Sequence, residues 1–143
     1  MVEKILVDVD ICLDLLLDRK PFVQDSGRIF ELGEQKKIDL TISAISIDTL
    51  FYVIRPAMGA AKATETIRAL LKITKIAPVT ADVIKKALDA GWSDLEDTIQ
   101  YFTAVNAGCT CLLTRNISDY KKAEASPVVK TPIQFLQDLE EQQ

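Results

Sequence analysis

The stretch "ILVDVDICLDLLLDR", residues 5–19, decides the fold that we expect for this chain. Residues 4–8 form a mostly apolar run that ends on an acid, which is typical of a strand buried in a sheet. Residues 11–18 carry leucines at helical spacing and predict a short helix, with Asp10 as its N-cap. The other two acids of the stretch, Asp14 and Asp18, are expected to face solvent. A buried strand followed at once by a helix indicates the start of an α/β fold.

The rest of the chain repeats this alternation of apolar runs and helical patterns. Further strands are predicted at 39–43, 75–79, 109–114 and 127–129, and the proline within 75–79 places that strand near an edge of the sheet. Helices are predicted at 21–37, 60–73, 80–91, 94–108 and 131–142, together with one over "ISIDTLFYVIR" that Pro56 and Gly59 interrupt. Strands that alternate with helices predict a parallel sheet covered on both faces, in a single domain spanning 1–143.

The composition excludes several classes of chemistry. The 143 residues include no histidine, so neither a Ser-His-Asp triad nor a histidine general base can be built. Neither of the glycine-rich phosphate loops is present. The net charge of −4 argues against a passive nucleic-acid binder, but a metal-dependent enzyme remains open because bound cations offset acids locally.

Location and cysteine chemistry follow from the same composition. The three cysteines have no spacing typical of a disulfide framework or a zinc site, and we expect buried thiols. No apolar run is long enough for a transmembrane helix, and the first residues lack a signal-peptide pattern. The sequence therefore predicts a cytoplasmic protein.

Acids follow the predicted strands or begin helices at the end of the sheet where parallel strands bind ligands. Asp8 ends the first strand, where a buried carboxylate is costly unless something compensates its charge. Asp94 and Asp97 begin the 94–108 helix, and Asp119 lies just after the strand at 109–114. The topology is expected to bring these side chains to one edge of the sheet.

Several of these polar residues also have a purely structural explanation. Ser93 and Glu96 have capping-box spacing at the start of the 94–108 helix, where acids also gain from the helix dipole. Asn116 is suited to cap the turn that follows Thr114. Each cluster alone is therefore a weak indication of function.

The clusters together indicate a metal site. At least three carboxylates from separate regions converge on one edge, and like charges that close repel unless they are neutralised. Oxygen-rich sites of this kind suit Mg²⁺ or Mn²⁺. Metal-assisted hydrolysis of a phosphodiester bond needs such a constellation and needs no histidine.

Four segments of the chain, taken in order, resemble a PIN domain over nearly the whole length: "ILVDVDICLDLLLDR", "TISAISIDTLFYVIR", "SDLEDTIQYFTAVNAGCTCLLTRNISDY" and "VVKTPIQFLQ". The family includes PilT N-terminus-like proteins and the VapC-type ribonuclease toxins. The resemblance implies a three-layer α/β/α sandwich with a central, mostly parallel sheet of four or five strands. It also implies an endoribonuclease that uses Mg²⁺ or Mn²⁺, such as the toxin of a toxin–antitoxin pair.

The resemblance assigns roles by position. It implies that Asp8, Asp97 and Asp119 are catalytic metal ligands and that Asp94 is a further catalytic acid. The candidate accessory residues are Asp10, Asp48, Ser43 and Asn116. One position departs from the family pattern, because Thr49 stands where an acid usually precedes the Leu-Phe-Tyr-like run. Asp48 lies one residue earlier, about 100° away around a helix, so the departure counts against full activity.

Two other functions fit parts of the sequence. A binding module could keep the PIN-like fold without its chemistry, and Thr49 is the main support for this alternative. "ILVDVD" is also similar to the opening of the haloacid dehalogenase phosphatases, in which the first aspartate is the nucleophile. That family needs a later lysine and an acid pair after another strand, whereas the later acids here begin a helix.

Candidate contacts with RNA and with protein partners are less specific. Arg115 is the best candidate for RNA binding, because it follows a strand at the acidic edge and is suited to meet a phosphate. Other basic candidates are Arg55, Lys62, Arg68, Lys121 and Lys122. The helices at 50–58 and 60–73 are candidates for the surface of a homodimer or for holding an antitoxin, and their apolar pattern fits packing in the core equally well.

Overall fold

The computed structural model of the protein describes residues 2–120, 123 and 126–142. The strands within these residues are β1 (Lys4–Val7), β2 (Asp39–Ser43), β3 (Lys75–Ala77), β4 (Cys111–Leu113) and β5 (Val128–Lys130). The α-helices are α1 (Val9–Leu16), α2 (Val23–Glu34), α3 (Ala44–Met58), α4 (Ala60–Leu70), α5 (Ala81–Ala90), α6 (Leu95–Asn106) and α7 (Pro132–Glu141). A 3-10 turn, Ile117–Tyr120, follows β4.

The strands form one parallel sheet in the order β3-β2-β1-β4-β5. The chain builds outward from β1 to β2 and β3, then returns to pair β4 with the other side of β1. This change of direction is a topological switch point, and it leaves a crevice beyond the carboxyl ends of β1 and β4. The predicted parallel sheet and the edge position of the third strand are therefore confirmed.

The two faces of the sheet are covered by different helices. Ile5 and Val7 of β1 point into a core shared with α1 to α4 and α7, whereas Leu6 points to the opposite face, where it packs with Leu112 and Tyr101 of α6. This alternation follows from the period of two along a strand. The result is the α/β/α sandwich that was predicted. All three cysteines are buried free thiols, as expected.

Three details of the helices differ from the sequence predictions. The first helix begins at Val9 rather than residue 11, and its N-cap is Asp8 instead of Asp10. Helix α3 continues through Pro56, because the carbonyl that loses its donor lies at Tyr52, a residue exposed enough for water to replace the bond. Helix α6 is capped by Asp94, so the predicted capping box from Ser93 is wrong.

Among the described residues, no helix combines the length and apolar character needed to cross a membrane.

Two glycines of α2 give a matched test of the packing between this helix and the sheet. A Cβ at Gly33 would lie 2.6 Å from Cδ1 of the buried Leu40, whereas a Cβ at Gly27 meets only Leu15, at 4.0 Å. Gly33→Ala should lower the free energy of unfolding by about 1–3 kcal/mol through overpacking. Gly27→Ala should raise it by about 0.5–1 kcal/mol, because alanine is the better helix former. Urea unfolding of both variants measures the difference, and equal effects would contradict the packing described here.

Candidate metal centre at the sheet switch point

Asp8 lies at the switch point between β1 and β4. Its Oδ1 accepts a 2.7 Å hydrogen bond from the Val9 N–H, and its Oδ2 accepts a 2.9 Å bond from the hydroxyl of Thr114. The side chain is buried. Burial raises the pKa of Asp8 to about 6, opposed by the Thr114 hydrogen bond and assisted by the negative charge of Asp10. Both oxygens are therefore held in place, and the charged form is disfavoured until a cation approaches.

Asp97 reaches the same crevice from the first turn of α6. The carboxylate of Asp94 caps this helix by accepting a 3.0 Å hydrogen bond from the Asp97 N–H. Burial, followed by the charges of Asp94, Asp8 and Asp119, raises the pKa of Asp97 to about 7. The charges of acids from three separate regions of the chain therefore act on Asp97, and their role as a joint metal site stays a prediction.

The buried Tyr120 lies among these acids. Its hydroxyl donates a 3.5 Å hydrogen bond to Oδ1 of Asp97. Burial and the charges of Asp8, Asp97 and Asp119 raise the pKa of the tyrosine hydroxyl well above its usual range. The neutral hydroxyl thus remains a donor that orients Asp97. Asp119 itself is exposed, in the 3-10 turn that ends at Tyr120.

The donor set fits a hard divalent cation. In the part of the chain that the structure describes, neither Asp8 nor Asp97 forms an ion pair with a basic side chain. No three acids, cysteines or histidines among the described residues are close enough to form a preassembled cage. Mg²⁺ is commonly bound through only one or two carboxylates, with waters and substrate phosphate completing its coordination. The buried Asp8 and the half-buried Asp97 at this crevice meet that requirement.

The accessory candidates are placed unequally around this centre. Asp10 is half-buried in the first turn of α1 and acts on Asp8 through its charge. Ser43 is buried and caps α3 by accepting a hydrogen bond from the Ile45 N–H. The exposed Asn116 donates its backbone N–H to the Thr114 hydroxyl and accepts a hydrogen bond from the Asp119 N–H. These contacts shape the loops that carry the acids.

Asp48 is not brought to the acidic crevice. It is exposed and lines a groove between α3 and α4 that also contains Phe51 and Arg68. The neighbouring Thr49 is partly buried. One turn earlier, the buried Ser46 accepts a 2.6 Å hydrogen bond from the Gln100 amide of α6. This bond fixes the start of α3 against the helix that carries Asp97.

The prediction that Asp14 faces solvent is wrong. Its carboxylate is fully buried and forms an ion pair with Arg115, with 2.8 Å between Oδ2 and Nε. The guanidinium of Arg115 also lies over the ring of Phe22, 4.1 Å from its centroid. Arg115 therefore has a structural partner, and its role in RNA binding stays a prediction. Asp18 is exposed, as expected, and the candidates Lys121 and Lys122 lie outside the described residues.

Sequence reasoning missed two residues of the centre, Thr114 and Tyr120. Thr114 was considered only as the end of a strand, yet its hydroxyl links Asp8 to Asn116. Its position directly after the buried run of β4 was the available signal, because β4 and β1 are neighbours at the switch point. Tyr120 directly follows Asp119, but nothing local indicates that its hydroxyl turns inward.

These observations define a parallel α/β protein with an acidic site at its switch point, and comparison with known proteins identifies the family. The PIN domain family matches residues 4–118. Ribonuclease VapC1 of Aquifex aeolicus (strain VF5) is 30% identical over 123 residues, which make up 82% of this chain and 85% of that protein. The chain belongs to the PIN domain family, as its sequence segments predicted.

Solved structures agree with the fold. A toxin–antitoxin complex from Klebsiella pneumoniae contains a chain that matches with a TM-score of 0.66 and 22% identity, over 89% of this chain and 96% of that one. VapC20 of Mycobacterium tuberculosis, described as a sarcin-ricin loop cleaving toxin, matches with a TM-score of 0.63 and 17% identity, over 86% of this chain and 99% of its own. At such identities the likeness concerns the fold, and it confirms the PIN-like sandwich.

The acids predict how the metal-free protein responds to pH. The pKa values of Asp8 and Asp97 in the folded protein, about 6 and about 7, exceed the usual value of 3.8. The folded state therefore holds protons that the unfolded chain releases, so this contribution to stability is complete below about pH 3.8 and is lost as the pH rises through both values. In EDTA, the urea midpoint should fall between pH 4.5 and pH 8, and Asp97→Asn should lessen the fall.

Asp82→Asn is the matched control for this experiment. Asp82 also lies in the first turn of a helix, but it is exposed and paired with Lys86. Its variant should follow the wild-type profile. An Asp97→Asn profile parallel to that of the wild type would show that Asp97 does not carry the repulsion.

Proposed function

We propose that this protein is a metal-dependent endoribonuclease that hydrolyses RNA phosphodiester bonds with metal-activated water. The observation that carries the proposal is that Asp8, at the switch point of a PIN fold, and Asp97, bonded to the buried Tyr120, both act on this tyrosine together with Asp119 through their charges. Two related proteins support it by name, since one is a ribonuclease and the other is described as a cleaving toxin. The expected products carry a 5′-phosphate and a 3′-hydroxyl.

The proposed ligands of Mg²⁺ or Mn²⁺ are Asp8, Asp97 and Asp119, with Asp94 as a further catalytic acid. A bound divalent ion supplies a water of lowered pKa and offsets charge on the scissile phosphate. Asp8 contributes an oxygen pair that is fixed by Thr114 and the start of α1. The Tyr120 hydroxyl holds Asp97 toward the crevice. These hydrogen bonds orient the ligands before substrate arrives, as a metal site requires.

The proposed cellular role is that of a toxin held by a protein antitoxin. A structural neighbour belongs to a toxin–antitoxin complex. The groove between α3 and α4, about 510 Å³ and lined by Ile47, Phe51, Ile67 and Leu71 beside Asp48 and Arg68, is the proposed contact surface for an antitoxin segment. A homodimer and a cytoplasmic location remain part of this proposal. A small gene immediately upstream of this one would be the first test of such a partner.

The alternative of a non-catalytic binding module rests on Thr49. A ribonuclease of the proposed kind needs a bound cation for activity, whereas a binding module does not. Among the residues that the structure describes, Asp8 and Asp97 have no basic partner, and their raised pKa values cost stability at neutral pH, a cost from which a binding module gains nothing. The phosphatase alternative is not favoured by the family assignment. Metal binding and RNA cleavage therefore decide between catalysis and binding alone.

A first prediction concerns the metal ligands. Asp97→Asn and Asp8→Asn should each reduce Mn²⁺-dependent cleavage of RNA by at least about 100-fold, because each removes a charge that acts on the reacting phosphate. Asp97→Asn should not lower the melting temperature, because burial and neighbouring acids disfavour the charged form of Asp97, whereas Asp8→Asn loses one of the two hydrogen bonds that the carboxylate accepts and should lower it. Calorimetric titration with Mn²⁺ should show weaker binding. Asp82→Asn is again the control, and native cleavage rates in both ligand variants would show that the site is wrongly assigned.

A second prediction concerns the departure at position 49. Thr49→Glu restores the usual acid and should raise the cleavage rate about tenfold, equivalent to about 1.4 kcal/mol of barrier. It should also tighten Mn²⁺ binding and destabilise the metal-free protein, because it adds a like charge. Asp48→Asn, one residue away in the α3–α4 groove, should leave the rate unchanged. A loss of activity in Asp48→Asn would instead show that Asp48 compensates for Thr49.

A further inference from the structure

A cavity of about 300 Å³ lies beside the acidic crevice and is separate from it. It opens between α2, the start of α7 and the loop after β4. Apolar walls come from Phe22, Pro132 and Ile133, and the polar lining includes Ser26 and the Asp14–Arg115 ion pair. Its volume lies at the lower end of the range for small-molecule sites.

The polar lining contains a hydroxyl that lacks a partner. Ser26 is 1% exposed, and its Oγ forms no hydrogen bond with any residue that the structure describes. Buried polar groups in proteins are almost always paired. An unpaired hydroxyl in a cavity wall is suited to bond with a polar group of an occupant, after a small rotation of the Ser26 side chain that exposes its oxygen.

The charges of the lining disfavour an anionic occupant. Asp14 and Asp25 contribute two acids, whereas Arg115 contributes one base that is already paired with Asp14 through contacts of 2.8 and 3.3 Å. A phosphate would meet a net negative lining. The exposed ring of Phe22 and the side chain of Ile133 instead favour a neutral, flat group. A ring with a hydrogen-bonding edge satisfies both the walls and Ser26.

The cavity is linked to the proposed catalytic centre by the chain itself. Arg115 and Asn116 of its lining directly follow Thr114, whose hydroxyl binds Asp8. Asp14 lies on the helix that Asp8 caps, six residues further on, which corresponds to about 9 Å along the axis. An RNA strand whose scissile phosphate lay at Asp8 would bring a neighbouring nucleotide within reach of this opening.

We propose that this cavity binds one nucleobase of single-stranded RNA beside the cleavage site and thereby sets the sequence preference of cleavage. Unstacked bases are recognised in this way, by packing against aromatic and apolar side chains and by hydrogen bonds to their edges. Phe22 and Ile133 provide the packing, and Ser26 provides the hydrogen bond. This inference rests on the proposed ribonuclease function.

Two variants test the cavity directly. Ser26→Ala removes the unpaired hydroxyl at nearly constant volume, and Ile133→Trp blocks the opening from an exposed position. Leu88→Trp is the matched control, because Leu88 is exposed on α5 and does not line the cavity. Cleavage of a randomised RNA pool in Mn²⁺, followed by sequencing of the ends, should show a base preference beside the cut. Ser26→Ala should weaken that preference at least fivefold, Ile133→Trp should abolish it, and Leu88→Trp should keep it.

A second measurement does not depend on catalysis. In metal-free Asp97→Asn protein, adenosine, cytidine, guanosine and uridine are titrated separately while backbone NMR signals are followed. At least one nucleoside should shift the signals of Phe22, Ser26 and Ile133, and Ile133→Trp should remove the shifts. Unchanged base preference in both cavity variants, or no nucleoside shift at these residues, overturns the proposal.

The remaining outcomes are also decisive. If the wild type cleaves no RNA but a nucleoside still shifts the cavity signals, the base site stands and the ribonuclease function fails. If the cavity variants cleave with the wild-type preference but lose affinity for an antitoxin, a peptide occupies the cavity and the base site is wrong.

Discussion

The hydrogen bond between Thr114 and Asp8 is the contact on which the rest of the centre depends. It joins the ends of β4 and β1, which are neighbours in the sheet although they are 106 residues apart in the chain. The same hydroxyl accepts the Asn116 N–H and so sets the path of the loop that carries Arg115, Asp119 and Tyr120. One threonine therefore places an acid, a buried ion pair and the tyrosine that orients Asp97. The parallel register makes this possible, because it brings both strand ends to the same edge.

The sequence predicted the parts of this arrangement that follow from topology. Alternating strands and helices indicate a parallel sheet, and a parallel sheet brings Asp8 and the acids after β4 to the same edge. This placement could be predicted without knowing any side-chain contact. The sequence did not determine which of two neighbouring residues caps α1 or α6. Asp8 and Asp10, like Ser93 and Asp94, are equally good N-caps by residue type. Tertiary contacts select between them, and at α1 the decisive one comes from Thr114, at the end of the neighbouring strand β4.

The burial of Asp14 could not be predicted from its surroundings in the sequence. Residues 11–18 read as an amphipathic helix with acids on its outer face, and an acid is rarely buried without a partner. The partner, Arg115, lies 101 residues away. A buried pair of this kind costs desolvation on both sides, so it is poor evidence for stability. Its effect is positional: the pair pins the loop after β4 to α1 and forms the floor of the cavity beside Phe22.

The structure compensates its buried and half-buried carboxylates in two different ways. Asp14 is compensated by a guanidinium, whereas Asp8 and Asp97 are held by neutral donors that fix their oxygens without offsetting their charge. A basic partner would relieve the repulsion that raises the pKa of Asp97, but it would also compete with a cation for the same oxygens. Within the part of the chain that the structure describes, the two central carboxylates thus have fixed positions and no basic partner, which leaves them available to a cation.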